Sequence, residues 1–183
     1  KVLDNLSPKD ANKKAQEEFD AFVEKLKAVG VNVIVVEDTH IPDTPDSIFP
    51  NNWISFHQNG DVILYPMFAE NRRQERREDI LDIIEENGFV IENVTDYTLA
   101  EEANMFLEGT GSMIVDHENA MIYAAISERT NLSVLEKFAA TNNYQAVVFL
   151  ATDKDGHPIY HTNVMMALGQ EFCVLCEEAI EEE

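Results

Sequence analysis

The stretch Met105-Phe106-Leu107-Glu108-Gly109-Thr110-Gly111-Ser112-Met113-Ile114-Val115-Asp116-His117-Glu118-Asn119-Ala120-Met121-Ile122-Tyr123-Ala124 sets the pattern of the whole chain. A polar loop with two glycines runs into Met113–Val115, and a turn at His117-Glu118-Asn119 sends the chain back through Ala120–Ala124 as a hairpin. Leu132, Leu135, Phe138 and Ala139 then recur at helical spacing, and Ala146–Leu150 reads as a strand. The same order recurs upstream. There the loop Asp38 to Asn52 leads into a hairpin of Trp53–Phe56 and Val62–Tyr65 around Gln58-Asn59-Gly60-Asp61. The apolar spacing then predicts a helix over Arg72–Asn87, stopped by Gly88, and a strand at Phe89–Ile91. Downstream, His161-Thr162-Asn163 leads into a third hairpin, Val164–Ala167 with Glu171–Cys176. The motif segments begin near Pro45, Leu107 and His161, a period of about fifty to sixty residues, so equivalent polar loops fall on the same side of each unit. Residue identity between units is slight; the repeat is one of pattern.

Ahead of these units, Ser7-Pro8-Lys9-Asp10 opens a helix with a capping hydroxyl, a proline in the first turn and an acid. Ala11, Ala15, Phe19, Phe22, Val23 and Leu26 form its apolar face, and Gly30 ends it. Val31–Val36, a β-branched run, predicts a strand buried on both faces. Glu177–Glu183 predicts the first turn of a further helix. The expected fold class is therefore α/β.

The 183 residues include 13 basic and 35 acidic side chains, a formal charge of -22. Duplex nucleic acid and anionic membranes are bound through basic surfaces, so neither is an expected partner. Hydrophobic residues make up 45%, enough for a packed core. No apolar run reaches about eighteen residues, and Lys1-Val2-Leu3-Asp4 lacks a signal-peptide pattern, which predicts a soluble, cytoplasmic chain. Cys173 and Cys176 lie three apart on a predicted buried strand, facing opposite sides at roughly 10 Å, so they neither pair nor chelate one metal together. His40, His57, His117 and His157 show no ligand spacing, and no metal or cofactor is expected. Gly109-Thr110-Gly111-Ser112 lacks the lysine of a phosphate-binding loop and is not a Gly-x-Ser-x-Gly elbow; Ser112 is expected to start a strand.

Four ordered segments carry chemistry: Pro45-Asp46-Ser47-Ile48-Phe49, Leu107-Glu108-Gly109, Ser127-Glu128-Arg129-Thr130 and Tyr160-His161-Thr162-Asn163. In order and spacing the chain resembles the amidinotransferase-like, guanidino-group-modifying (pentein) superfamily. That superfamily includes arginine deiminases, dimethylarginine dimethylaminohydrolases and citrulline-utilisation hydrolases, and the resemblance runs closest to the last. It implies a five-bladed α/β propeller of ββαβ units around a central active site. This chain would supply its first three blades, as a single catalytic domain over 1–183 truncated at its C-terminus. The implied reaction is covalent: a cysteine thiolate, expected beyond Glu183, attacks the guanidino or ureido carbon while a histidine moves protons. His161 would be the general acid/base and Glu108 its acidic partner. Imidazole changes charge near neutral pH, and an adjacent carboxylate fixes its orientation. Asp46 would contact the substrate nitrogen group, and Arg129 would hold the α-carboxylate through two hydrogen bonds. Arg73, in Arg72-Arg73-Gln74-Glu75, is a second candidate for that task.

Three asparagines narrow the substrate. Guanidino-binding members commonly carry acids where this chain has Asn51, Asn52 and Asn163. A guanidinium only donates, whereas a neutral ureido group has a carbonyl as well, and a carboxamide can both give and accept. The implied reaction is citrulline to ornithine, carbon dioxide and ammonia, with an amino acid as the small-molecule partner. An arginine or dimethylarginine hydrolase, an amidinotransferase and a non-catalytic binding or scaffold fragment stay open, as does assembly with further copies of the chain. Without the resemblance, His161 reads equally as a structural histidine, Glu108 as a turn acid and Asp46 as an Asx-turn residue. Arg72, Arg73, Arg76 and Arg77, interleaved with acids, read as a solvated ion-paired face.

Overall fold

The computed structural model describes residues 7–181. Two compact units divide between Glu37 and Asp38. The first carries helix α1, Pro8–Ala28. Its cap is as expected: the Asp10 N–H donates to Ser7 Oγ at 3.2 Å. Gly30 follows the helix with φ +88° and donates its N–H to the Lys27 carbonyl, which suits the residue without a Cβ. The expected strand over Val31–Val36 does not form. No ladder among the described residues offers it partners, and a β-branched run without inter-strand hydrogen bonds stays irregular.

The second unit repeats one arrangement. Strands β1 (Ile54–Phe56) and β2 (Asp61–Leu64) form an antiparallel hairpin. Helices α2 (Glu70–Arg73) and α3 (Asp79–Glu86) then bring the chain to β3 (Asn93–Asp96), parallel to β2. After the single helical turn α4 (Gly109–Ser112), β4 (Ile114–Asp116) and β5 (Met121–Ala125) form the next antiparallel hairpin. Helix α5 (Leu132–Thr141) crosses over to β6 (Gln145–Phe149), parallel to β5. A third hairpin joins β7 (Met166–Leu168) to β8 (Cys173–Leu175). The result is a mixed α/β fold of small sheets, ordered β1-β2-β3, β4-β5-β6 and β7-β8.

The first sheet lies between two cores because strand neighbours point to opposite faces. Val62 packs with Trp53, Ile54 and Met67, against Ile80 and Leu81 of α3. Ile63 points the other way, into the cluster of Tyr65, Leu107, Met113, Ile122, Leu135 and Phe138. Asn131 caps α5, accepting from the Ser133 and Val134 N–H groups. No helix among the described residues is long and apolar enough to cross a membrane.

Five local expectations are corrected. The predicted helix over 72–87 is two helices, broken at residues 74–78. Its arginines explain the break: they are drawn inward rather than solvated, with Arg72 buried against Glu75 and Arg76 paired with Glu101. The strand expected at Phe89–Ile91 forms four residues later, because the ladder register pairs Asp61–Leu64 with Asn93–Asp96. Ser112 ends a helical turn instead of starting a strand. At the far end, Glu177–Ala179 is one 3-10 turn, after which Ile180 bridges Ala151; residues 182 and 183 lie outside the described range. Cys173 and Cys176 are exposed rather than buried: Cys173 lies on β8, an edge strand with no neighbour on its outer side among the described residues, and Cys176 follows that strand at the start of the 3-10 turn.

Candidate active site

The turn α4 is where the polar segments meet. Gly109 has φ +45°, and a Cβ there would lie 2.2 Å from the Asn51 carbonyl oxygen. A Cβ at Gly111 would sit 2.4 Å from Asn52 Nδ2 and 3.0 Å from His161 Nδ1 and Cε1. Both glycines are required by close approach, not merely by turn geometry. Ser112 locks the turn: its hydroxyl donates to the Arg129 carbonyl at 2.7 Å and accepts from the Glu108 N–H at 2.8 Å. Thr162, next to His161, accepts from the Ala125 N–H at 2.9 Å and donates to the Ser112 carbonyl.

Glu108 is 0% exposed, and three segments donate to it. The Phe68 N–H donates to Oε1 at 2.9 Å, while His161 Nε2 lies 2.6 Å and Arg129 Nη1 3.2 Å from Oε2. Burial alone would raise its carboxyl pKa. The hydrogen bonds from His161 and Phe68 and the charge of Arg129 outweigh that and hold it below the usual glutamate range. Glu108 is therefore the ionised acceptor. The shared proton belongs on His161 Nε2, so a neutral His161 keeps its lone pair at Nδ1, over Gly111.

Arg129 is held by its faces. Its guanidinium carbon lies 5.4 Å from the Phe68 ring centroid and 5.3 Å from that of Tyr160. Among the described residues its Nε and Nη2 donate to nothing, leaving a two-pronged edge.

The remaining predicted residues divide. Asn52 is buried, and its Oδ1 accepts from Arg72 Nη1 at 2.7 Å. Asn51 Nδ2 donates to Thr110 Oγ1 at 3.2 Å, on the same turn. Asp46 is half-buried, and its carboxylate has no hydrogen-bond or ion-pair partner among the described residues. Its loop is tied by Asp38, which accepts from the Ser47 and Thr44 hydroxyls. Arg73 spends its Nε and Nη2 on the Met67 and Phe68 carbonyls and lies 3.5 Å from Glu101. Asn163 is exposed, on the 3-10 turn Thr162–Val164, and its side chain makes no hydrogen bond among the described residues.

The residue missed in sequence was Arg72. It donates to Asn52, to the Asp46 and Phe49 carbonyls at 3.2 Å each, and to both oxygens of Glu75. Burial pushes the Glu75 carboxyl up against the pull of Arg72, with Asp46 and Glu108 adding to the rise. The only signal in sequence was the pair's spacing of three. Asp153, Asp155 and His157 bring ligand atoms within 4.8 Å of one another. All three are exposed, and turn hydrogen bonds to Asp153 account for the cluster, so no metal is assigned to it.

A family model described as N,N dimethylarginine dimethylhydrolase, eukaryotic, matches residues 1–183. No curated protein sequence matches the chain. Solved structures do. The substrate-bound N-terminal domain of ArgZ, an arginine dihydrolase from the ornithine-ammonia cycle in cyanobacteria, is similar with TM-score 0.69 at 19% identity, covering 92% of this chain and 57% of that one. Unliganded AgrE gives 0.70 at 18%, covering 92% and 23%. An adduct of dimethylarginine dimethylaminohydrolase with 4-chloro-2-hydroxymethylpyridine gives 0.65 at 21%, covering 89% and 60%. The chain thus spans less than two thirds of each of these proteins. Because that family model spans residues 1–183, the chain belongs to the eukaryotic N,N-dimethylarginine dimethylhydrolase family, within the pentein superfamily of guanidino-modifying hydrolases.

Proposed function

We propose that this chain is part of a hydrolase that cleaves the terminal C–N bonds of citrulline, giving ornithine, carbon dioxide and ammonia. The observation that carries the hydrolytic reading is the buried Glu108–His161 contact at 2.6 Å, with Arg129 on the same carboxylate. Glu108 fixes the imidazole through Nε2. Nδ1 is then the atom that takes a proton from an attacking thiol or water and returns it to the leaving amine. Asp46, half-buried and unpartnered, receives N–H groups of the substrate, and the free edge of Arg129 takes its α-carboxylate. Arg73, Asn51 and Asn163 are proposed as further substrate contacts. The repeated units would be blades of a five-bladed propeller in a cytoplasmic protein, and the thiolate would come from sequence outside this chain.

The choice of citrulline rests on asparagines where acids would suit a guanidinium. Carboxylates buried against a neutral ureido group would cost several kcal/mol or change protonation, whereas carboxamides do not. A second reading, arginine or dimethylarginine, is favoured by the family description and by the unpartnered Asp46, an acceptor suited to a donor-only group. Release of ammonia from citrulline or arginine, or of dimethylamine from dimethylarginine, by the full-length protein decides between them. Turnover of arginine but not citrulline would overturn the substrate assignment.

A further inference from the structure

Asn52 can present either end of its carboxamide to the reacting group, and which end it presents decides what it can bind. A carbonyl oxygen suits the N–H groups of a guanidinium; an N–H pair suits the carbonyl of a ureido group. In the structure the choice is already made. Arg72 has only donors, and its Nη1 is 2.7 Å from Asn52 Oδ1. Flipping the amide would set donor against donor in a buried place. Nδ2 is consequently directed toward Gly111, the glycine that also borders His161 Nδ1, and it donates to no acceptor among the described residues.

Arg72 is itself built in. It is 4% exposed, Glu75 3%, and the pair is joined by contacts of 2.9 and 3.0 Å. Its Nη2 also donates to the Asp46 and Phe49 carbonyls, so one guanidinium fixes both the asparagine and the backbone of the Pro45–Phe49 segment. A lysine could not replace it, because one ammonium cannot span Asn52, Glu75 and two carbonyls at once.

We propose that Arg72 is a positioning residue that sets substrate selectivity: by holding the Asn52 oxygen it turns the amide N–H pair toward the reacting group, which favours a neutral ureido carbonyl over a guanidinium. This rests on the hydrolase reading above. Removing Arg72 frees both amide orientations, so discrimination falls while the chemistry of Glu108 and His161 stays in place.

The test uses the full-length protein and a double variant, Arg72→Met with Glu75→Leu, which removes the buried pair without stranding a charge. Calorimetric Kd and kcat/KM are measured for citrulline and for arginine. The citrulline-to-arginine ratio is expected to fall at least about tenfold, through a larger loss for citrulline. Asn52→Asp in the parent keeps the Arg72 anchor but offers an acceptor, and is expected to shift the ratio further toward arginine. A folded double variant whose ratio stays within about twofold of the parent, both substrates falling together, shows a merely structural Arg72 and overturns the proposal. A parent that binds citrulline selectively without releasing ammonia sinks the hydrolytic reading alone. A parent that binds neither amino acid overturns both.

Discussion

Glu108 is the residue on which three segments of the candidate site converge, and its ionisation has a measurable sign. Its folded carboxyl pKa is depressed, so the native state binds protons there more weakly than the unfolded chain. The stability it contributes is complete above the ordinary glutamate range and is lost as pH falls through the depressed value. Denaturant unfolding of the full-length protein between about pH 7 and pH 3 should therefore show an acid limb that Glu108→Gln flattens. In the same protein His161→Ala is expected to abolish ammonia release, and Glu108→Gln to lower kcat by about 10²- to 10⁴-fold. Gly111→Ala tests the close approach: its Cβ would press on Asn52 Nδ2 and His161 together, costing about 1–3 kcal/mol in chemical denaturation and lowering turnover. At this scale the motif residues were legible because chemistry restricts them to few types. Arg72 was not, since interleaved charges on a helix look alike whether they are solvated or buried in pairs.

Among the elements, those with local signals were readable. Asn59-Gly60 announces the β1–β2 turn, where Gly60 has φ +83° and its amide and carbonyl face His57 and Glu92. Asn131 announces α5 and then caps it. The polar strand Asn93–Asp96 gave no such signal, because it forms the edge of its sheet and is defined only by its register on β2. The break between α2 and α3 was hidden for a related reason: it is imposed by partners distant in sequence, such as Glu101. The element whose packing is most consequential is α5. Its Phe138 stacks on Tyr144, with parallel rings 6.4 Å apart, and touches Tyr65 and Tyr97. Phe138→Ala is expected to cost about 3–5 kcal/mol, read as a lowered denaturation midpoint.

Over the whole chain, the repeat of hairpin, helix and parallel strand was visible in sequence as pattern, without identity between units. What pattern could not show is how much apolar surface stays open. Val147 and Val148 of β6, and Phe172, Val174 and Leu175 at β8, are exposed on strands that lie at sheet edges. The isolated 183-residue chain is accordingly expected to self-associate, as measured by sedimentation velocity and hydrophobic-dye binding; a monomer that melts cooperatively would contradict this. One feature spans all three repeats. Phe68 belongs to the first, Glu108 to the second and His161 to the third, and a single carboxylate joins them. The Phe68 amide proton is thereby a reporter for the assembly as a whole. Its hydrogen-exchange protection should vanish when any one repeat opens, so its exchange rate, set by the most frequent opening that frees this proton, measures the least stable of the three.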